Sequence, residues 1–224
     1  MYDLSEYERV KPENLSRLPF IAIIGGVPSV GKSTVAIELA HRLGVDRVAH
    51  TDIITEVMHA YENPQITPLL FEHTYESWRH FGEKTPENML KGYLSRARLM
   101  HPMIRRIVNR SVNKGRSLVM EGVHVTSELA EEVRSLATVF ILTVKEDQEH
   151  LSRIESKNTG RTVPNSRLHE YFDVLRFCNR GLVASASAHG AIVIENGSLE
   201  RTVAKMIEEK KKWEAAQQSK GLRI

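Results

Sequence analysis

Phe20-Ile21-Ala22-Ile23-Ile24-Gly25-Gly26-Val27-Pro28-Ser29-Val30-Gly31-Lys32-Ser33-Thr34 is the stretch that decides the fold. Its apolar opening, three isoleucines among five residues, runs into paired glycines, the pattern of a strand buried on both faces of a parallel sheet. From Gly26 to Ser33 the residues match G-x-x-x-x-G-K-[ST] at every constrained position. Glycines let backbone N–H groups turn toward phosphate oxygens, and the dipole of the following helix favours negative charge. Lys32 is then placed to bridge β- and γ-phosphates, and the Ser33 hydroxyl to ligate Mg²⁺. The alternative is a Gly-rich turn matching by chance. Against it, the motif follows a strand and opens an amphipathic helix, Ser33 to Leu43, stopped by Gly44. Gly26, Val27, Pro28, Ser29, Val30, Gly31, Lys32, Ser33 and Thr34 are the expected nucleotide-binding residues, with ATP and Mg²⁺ as cofactors.

Outward from this loop, Arg47 to His50 reads as a second strand delivering Thr51-Asp52, and Ser117 to Met120 as a third delivering Glu121-Gly122. Thr138 to Val144 and Ala191 to Ile194 complete five strands. Strands alternating with helices select an α/β fold, a parallel sheet with helices on both faces. A helical insert over about 53–114, punctuated by Pro64, Pro68, Pro86 and Pro102, separates the second and third strands. A polar segment after the fourth strand, within about 153–170, reads as a lid and leads into a helix near Tyr171 to Ala188. Residues 1–224 read as a single domain. Ligands of open α/β sheets bind beyond the carboxyl ends of the strands, so the glycine loop, Thr51-Asp52 and Glu121-Gly122 should converge there.

The chain has 224 residues, and 31 Lys and Arg against 28 Asp and Glu give a net charge of +3, too small a surplus for a nucleic-acid groove. A single cysteine, Cys178, excludes a disulfide framework and a Cys-cluster zinc site. No apolar run approaches the roughly 20 residues of a membrane span, and residues 1–10 carry acids rather than a signal-like apolar core. The expectation is a cytoplasmic protein acting on a small molecule, without nucleic acid or membrane as partner; a homodimer stays open.

Among nucleotide-binding classes, a GTPase switch would show N-K-x-D after a strand. Val144-Lys145-Glu146-Asp147 has Val where Asn belongs, and Glu121-Gly122-Val123-His124 is not an Asp-x-x-Gly switch. A motor ATPase needs a larger body. A small-molecule kinase fits the insert and basic lid best. Asp52, at the ligand edge, is placed to orient an acceptor hydroxyl, take its proton or hold a metal-bound water, with helix capping as its structural alternative. Glu121 ends an apolar strand, where an acid is costly unless it meets metal, a cation or water; it is the second expected metal ligand after Ser33. Gly122 and His124 follow it onto the same edge. A kinase lid needs guanidinium groups against the charge of the transferred phosphoryl group. Of Arg153, Arg161, Arg167 and Arg176, the expected pair is Arg161, beside the loop-forming Thr159-Gly160, and Arg176. In the insert, Arg79 beside Trp78 and Arg96 near Tyr93 are the expected clamps for an acceptor anion; other basic residues there read as solvated. Lys32, Asp52 and Arg161 are the expected catalytic residues.

With these residues in place, the chain resembles the archaeal 2-phosphoglycerate kinase family. Gly25 to Thr34, Thr51-Asp52-Ile53-Ile54-Thr55-Glu56-Val57-Met58, Leu118 to His124, and Tyr171 to Arg180 leading to Ile192-Val193-Ile194-Glu195-Asn196 carry the likeness. The resemblance implies Mg²⁺-dependent transfer of the γ-phosphate of ATP to a hydroxyl of a small phosphorylated acid. It also implies a nucleoside-monophosphate-kinase-like fold with strand order 2-3-1-4-5. Only about 17 residues precede the first strand, where longer family members carry an extension. That length favours a shorter branch, kinases of mevalonate 3-phosphate in archaeal isoprenoid biosynthesis, over 2-phosphoglycerate as acceptor. Met58, Trp78, Met89, Tyr93, Met100 and Met103 would wall the roomier, apolar pocket such an acceptor needs, unless they form the helical core. A reading from another class, a nucleotide-dependent regulator binding RNA or protein, rests on Lys210-Lys211-Lys212, which Glu208, Glu209 and Glu214 flank.

Overall fold

β1 (Ile21–Gly25) is buried along its whole length, and the computed structural model is built outward from it. The structure describes residues 9–11, 14–15, 18–159 and 167–219. β1 lies between β3 (Leu118–Glu121) and β4 (Thr138–Thr143), with β2 (Val48–His50) beyond β3 and β5 (Ile192–Glu195) beyond β4. All four pairings are parallel, so the order is 2-3-1-4-5, as the resemblance implied. A strand with neighbours on both sides and apolar cover on both faces must be apolar at every position, which is why Ile21 to Ile24 show no alternation.

Nine α-helices among the described residues surround the sheet. α1 (Lys32–Arg42) follows the glycine loop and packs beside the long α9 (Leu199–Gln218). The insert resolves into α2 (Thr51–His59), 3-10 turns at Pro68–Phe71 and Ser77–Phe81, α3 (Pro86–Arg98) and α4 (His101–Asn113). Pro68, Pro86 and Pro102 each sit in the first turn of an element, where a missing N–H costs nothing. They start helices here rather than break them. α5 (Ser127–Val133) follows β3. α6 (Asp147–Thr159) and α7 (Arg167–Glu170) flank residues 160–166, and α8 (Phe172–Ala186) packs against β4 and α3. Of the six residues expected to wall an apolar pocket, Tyr93, Met89 and Met100 are core, and Met58, Trp78 and Met103 pack against that core.

The ends of β2 and β3 depart from the sequence reading. α2 begins at Thr51 with His50 as its N-cap and no side-chain capping bond, so Thr51 and Asp52 lie inside the first turn rather than capping it. The Thr51 hydroxyl instead shares a 2.8 Å hydrogen bond with Nδ1 of His124. Gly122 makes this approach possible: a Cβ there would stand 1.7 Å from Thr51 Oγ1. Gly122→Ala must push β3 and α2 apart. We expect it to cost about 1–3 kcal/mol, read as a lower midpoint of chemical denaturation.

Candidate active site

The glycine loop needs left-handed backbone at Gly26 (φ 137°), Ser29 (φ 64°) and Gly31 (φ 92°). Gly31 is also the N-cap of α1, and a Cβ on it would meet Asn196 Nδ2 at 2.4 Å. Side chains hold the loop carbonyls from several directions. Asn196 Nδ2 donates to Val30 O (2.8 Å), itself fixed by Thr202 Oγ1 donating to Asn196 Oδ1 (3.0 Å). Arg153 on α6 donates to Val30 O (3.2 Å) and Asn196 O (2.5 Å). The Nε2 of His150, a buried ring that its surroundings keep neutral, donates to Pro28 O (2.8 Å). Lys32 Nζ donates to Val27 O (2.9 Å). With Val27, Pro28 and Val30 carbonyls all engaged, the groups such a loop offers an anion are its N–H donors. Ser29 Oγ is buried without a hydrogen-bond partner among the described residues.

Burial brings the Lys32 ammonium down to about 8; the charges of Glu121 and Asp52 resist the shift, and Lys157 adds to it. Glu121, buried at the end of β3, collects two donors on one oxygen: Ser33 Oγ at 2.8 Å and His50 Nδ1 at 2.6 Å, both on Oε1. Among the described residues no three His, Cys, Asp or Glu cluster into a metal centre. Ser33 with one nearby carboxylate does fit Mg²⁺, which keeps most of its waters and takes its other oxygens from nucleotide phosphates.

Two clefts meet at this loop. One, of about 450 Å³, lies between the loop, α6 and Asn196-Gly197, and includes Gly31, Thr34, Arg153 and Leu199. The other, of about 340 Å³, lies between the loop, α2 and the insert, and includes Asp52, Arg96, Glu121, Gly122 and His124. Ser29, Lys32, Ser33 and Lys157 line both. The junction where a phosphoryl group would pass from one to the other is therefore lined by two lysines and two serines.

The second cleft gathers most of the expected acceptor residues. Arg96, 2% exposed, donates from Nε to Glu72 O (3.1 Å), and its Nη1 is buried without a hydrogen-bond partner among the described residues. Burial brings its guanidinium down to about 10, against the pull of Asp52, so it stays charged at neutral pH. Burial, with Arg96, Lys32 and His101 nearby, drives His124 down to about 3, so its ring is neutral.

Two expectations need correction. Arg176 lines neither cleft: it is buried behind β4, donating to Val144 O (2.7 Å) and Lys145 O (2.6 Å) and pairing with Asp147 (2.5 Å). Arg79 also stays out of the clefts, held by Glu76 (3.1 Å), by the Tyr171 hydroxyl and by the faces of Trp78 and Tyr171. For Arg79, the aromatic neighbour that looked like ligand cover is the residue's own partner. Arg161 lies outside the described residues. Sequence reasoning missed His50, His150 and Lys157 and passed over Arg153. Arg153 and Lys157 carry a readable signal, basic residues four apart on one helix face.

The sheet order and the two clefts define a P-loop kinase fold. A gluconokinase from Sinorhizobium meliloti shares it, with a TM-score of 0.50 and 14% identity over 88% of this chain and 94% of that one. So does a shikimate kinase from Bacteroides thetaiotaomicron, with a TM-score of 0.50 and 14% identity over 86% and 98%. No protein-family model matches the chain. A protein of Methanopyrus kandleri named 2-phosphoglycerate kinase is 33% identical over 195 residues, which are 84% of this chain and 60% of that protein. The Methanococcus vannielii protein of the same name is 31% identical over 215 residues, 92% of this chain and 69% of that one. The chain belongs to the 2-phosphoglycerate kinase family. It spans 60% and 63% of the relatives from Methanopyrus kandleri and Methanocaldococcus jannaschii. The expected mevalonate 3-phosphate acceptor finds no support. The relatives bear the other name, and none of the six apolar residues lines the acceptor-side cleft.

Because the folded protein holds Lys32 at about 8 and the unfolded chain at about 10.5, its buried charge opposes folding fully below pH 8. That cost fades between those values and is gone above the higher one. Lys32→Met should therefore be more stable than the parent at pH 7, with the difference shrinking by on the order of 3 kcal/mol toward pH 10.5. Urea denaturation at pH 7 and pH 10 checks the sign.

Proposed function

We propose that this protein transfers the γ-phosphate of ATP to the hydroxyl of a small phosphorylated carboxylic acid, 2-phosphoglycerate, giving 2,3-bisphosphoglycerate and ADP. The observation that carries the reading is the buried, charged Arg96, whose Nη1 lacks a hydrogen-bond partner among the described residues, beside a cleft that joins the loop cleft at Lys32 and Ser33. A buried guanidinium with a donor unused is costly unless an anion completes it. The name shared by the relatives supports 2-phosphoglycerate as that anion.

In this reading residues 1–224 act as one kinase unit, with the insert at 53–114 as the acceptor wall and 153–170 as the lid. The loop amides and Lys32 bind the ATP phosphates, Lys32 leaving the Val27 carbonyl to do so. Ser33, oriented by Glu121, would hold Mg²⁺, which when bound offsets charge on the β- and γ-phosphate oxygens. Asp52 orients the acceptor hydroxyl and takes its proton as the new O–P bond forms. The bond from the γ-phosphorus to the bridging oxygen breaks, and that oxygen leaves with ADP. Lys157, at the junction of the clefts, faces the charge of the moving phosphoryl group. Arg96 pairs with an acidic group of the acceptor, and neutral His124 hydrogen-bonds to it without adding charge. Lid closure keeps water from competing with the acceptor.

ADP release is measured with Mg²⁺-ATP and 2-phosphoglycerate, 3-phosphoglycerate, mevalonate 3-phosphate or a nucleoside monophosphate. Turnover with 2-phosphoglycerate alone is expected; turnover with another acceptor instead, or none, overturns the substrate. Arg96→Met should raise the acceptor KM at least 10-fold and leave the ATP KM within about twofold, since a charged hydrogen bond to an anion carries roughly 1.5–3 kcal/mol. Asp52→Asn should lower kcat about 100-fold or more with ATP binding kept, the range of a lost general base.

A further inference from the structure

The β2–β3 register sets His50 directly beside Glu121. Its Nδ1 lies 2.6 Å from Oε1, the same oxygen that accepts the Ser33 hydroxyl at 2.8 Å. A carboxylate oxygen can only accept, so Nδ1 carries the proton in this contact. Two donors on one oxygen occupy its two lone-pair directions and fix the carboxylate plane. The Glu121 side chain is 7% exposed and that of His50 34%, so the histidine closes the edge of the sheet over the buried acid.

We propose that His50 is a positioning residue for the nucleotide's metal: by pinning Oε1 of Glu121 it fixes the Ser33 hydroxyl and presents Oε2 toward the junction of the two clefts. Without the Nδ1 donor, Oε1 keeps only Ser33. Glu121 and Ser33 are then free to rotate together, and the Ser33 lone pair no longer has one direction in which to meet a cation. Partners of this kind, one bond removed from a metal, typically carry 10- to 100-fold in metal affinity. His50 touches neither cleft, so it acts on the site only through Glu121.

This inference rests on the kinase reading above, and its test omits the acceptor so that the two can fail separately. ATP binding is titrated calorimetrically at a series of Mg²⁺ concentrations and in EDTA, for the parent protein, His50→Ala, His50→Asn and His50→Gln. The amide nitrogen of Asn stands where Nδ1 stands, whereas that of Gln is displaced by one bond. His50→Ala and His50→Gln should raise the Mg²⁺ concentration for half-maximal tightening about 10-fold. Their affinity in EDTA should be unchanged, and His50→Asn should restore the parent's Mg²⁺ dependence. An equal loss with and without Mg²⁺ would mean a structural role alone, and no change would remove His50 from the site; either overturns the proposal. If His50→Ala unfolds, the contrast between Asn and Gln decides it alone. Absence of ATP binding by the parent protein would overturn the kinase reading itself.

Discussion

The site depends on where three parallel strands stop. β1 is held between β3 and β4, and its register sets Ile24 beside Glu121 and Gly25 beside Ile141. On the next strand His50 stands beside Glu121. The chain can therefore turn into the glycine loop at the level where a carboxylate and a histidine leave the neighbouring strands. Burial enforces that level, because sliding β1 by one residue would move its glycines into the core and expose isoleucine at the turn. Lys32, Ser33, Glu121 and His50 are neighbours because the apolar register permits only this alignment.

From that alignment the electrostatics follow. The molecule places two lysines, a buried arginine and several carboxylates within one pair of joined clefts, and burial lowers the proton affinity of Lys32 and Arg96 without neutralising them at pH 7. An apo site built this way stores unfavourable energy that a polyanionic ligand relieves. The donor left unused on Arg96 and the lysine turned back onto Val27 are two forms of the same condition. Stability has been given up at the site and is recovered in the apolar core beneath it.

Much of this was legible in the residues. Ile21 to Ser33 predicts a strand, a phosphate loop and a helix, because each depends on local chemistry: continuous apolarity, glycine at positive φ, a lysine and a serine at fixed spacing. Asp52, Glu121 and His124 were readable as edge residues because each follows a strand signal. Arg79 was misplaced because an aromatic neighbour in sequence does not say whether a guanidinium turns toward a ligand or toward protein groups, and Arg176 because a place near the lid does not say that it turns back onto Val144 and Lys145 carbonyls. The capping role considered for Asp52 failed because the helix already begins at Thr51, whose hydroxyl is buried against His124, with His50 as its N-cap.

By itself, then, the sequence determined the class of fold, the nucleotide loop and the set of acids and bases on the ligand edge, since these are encoded in short stretches governed by local conformation. Tertiary structure alone decided which of them meet. Glu121 and His50 are 71 positions apart and Lys157 lies 125 beyond Lys32. Such pairs are selected by strand register and helix packing, which are properties of the whole core. The same packing left Arg96 beside a cleft with a donor unused among the described residues, and gave Arg176 two backbone carbonyls and the Asp147 carboxylate behind the sheet. The physical difference is burial against backbone, which no local pattern of residues records.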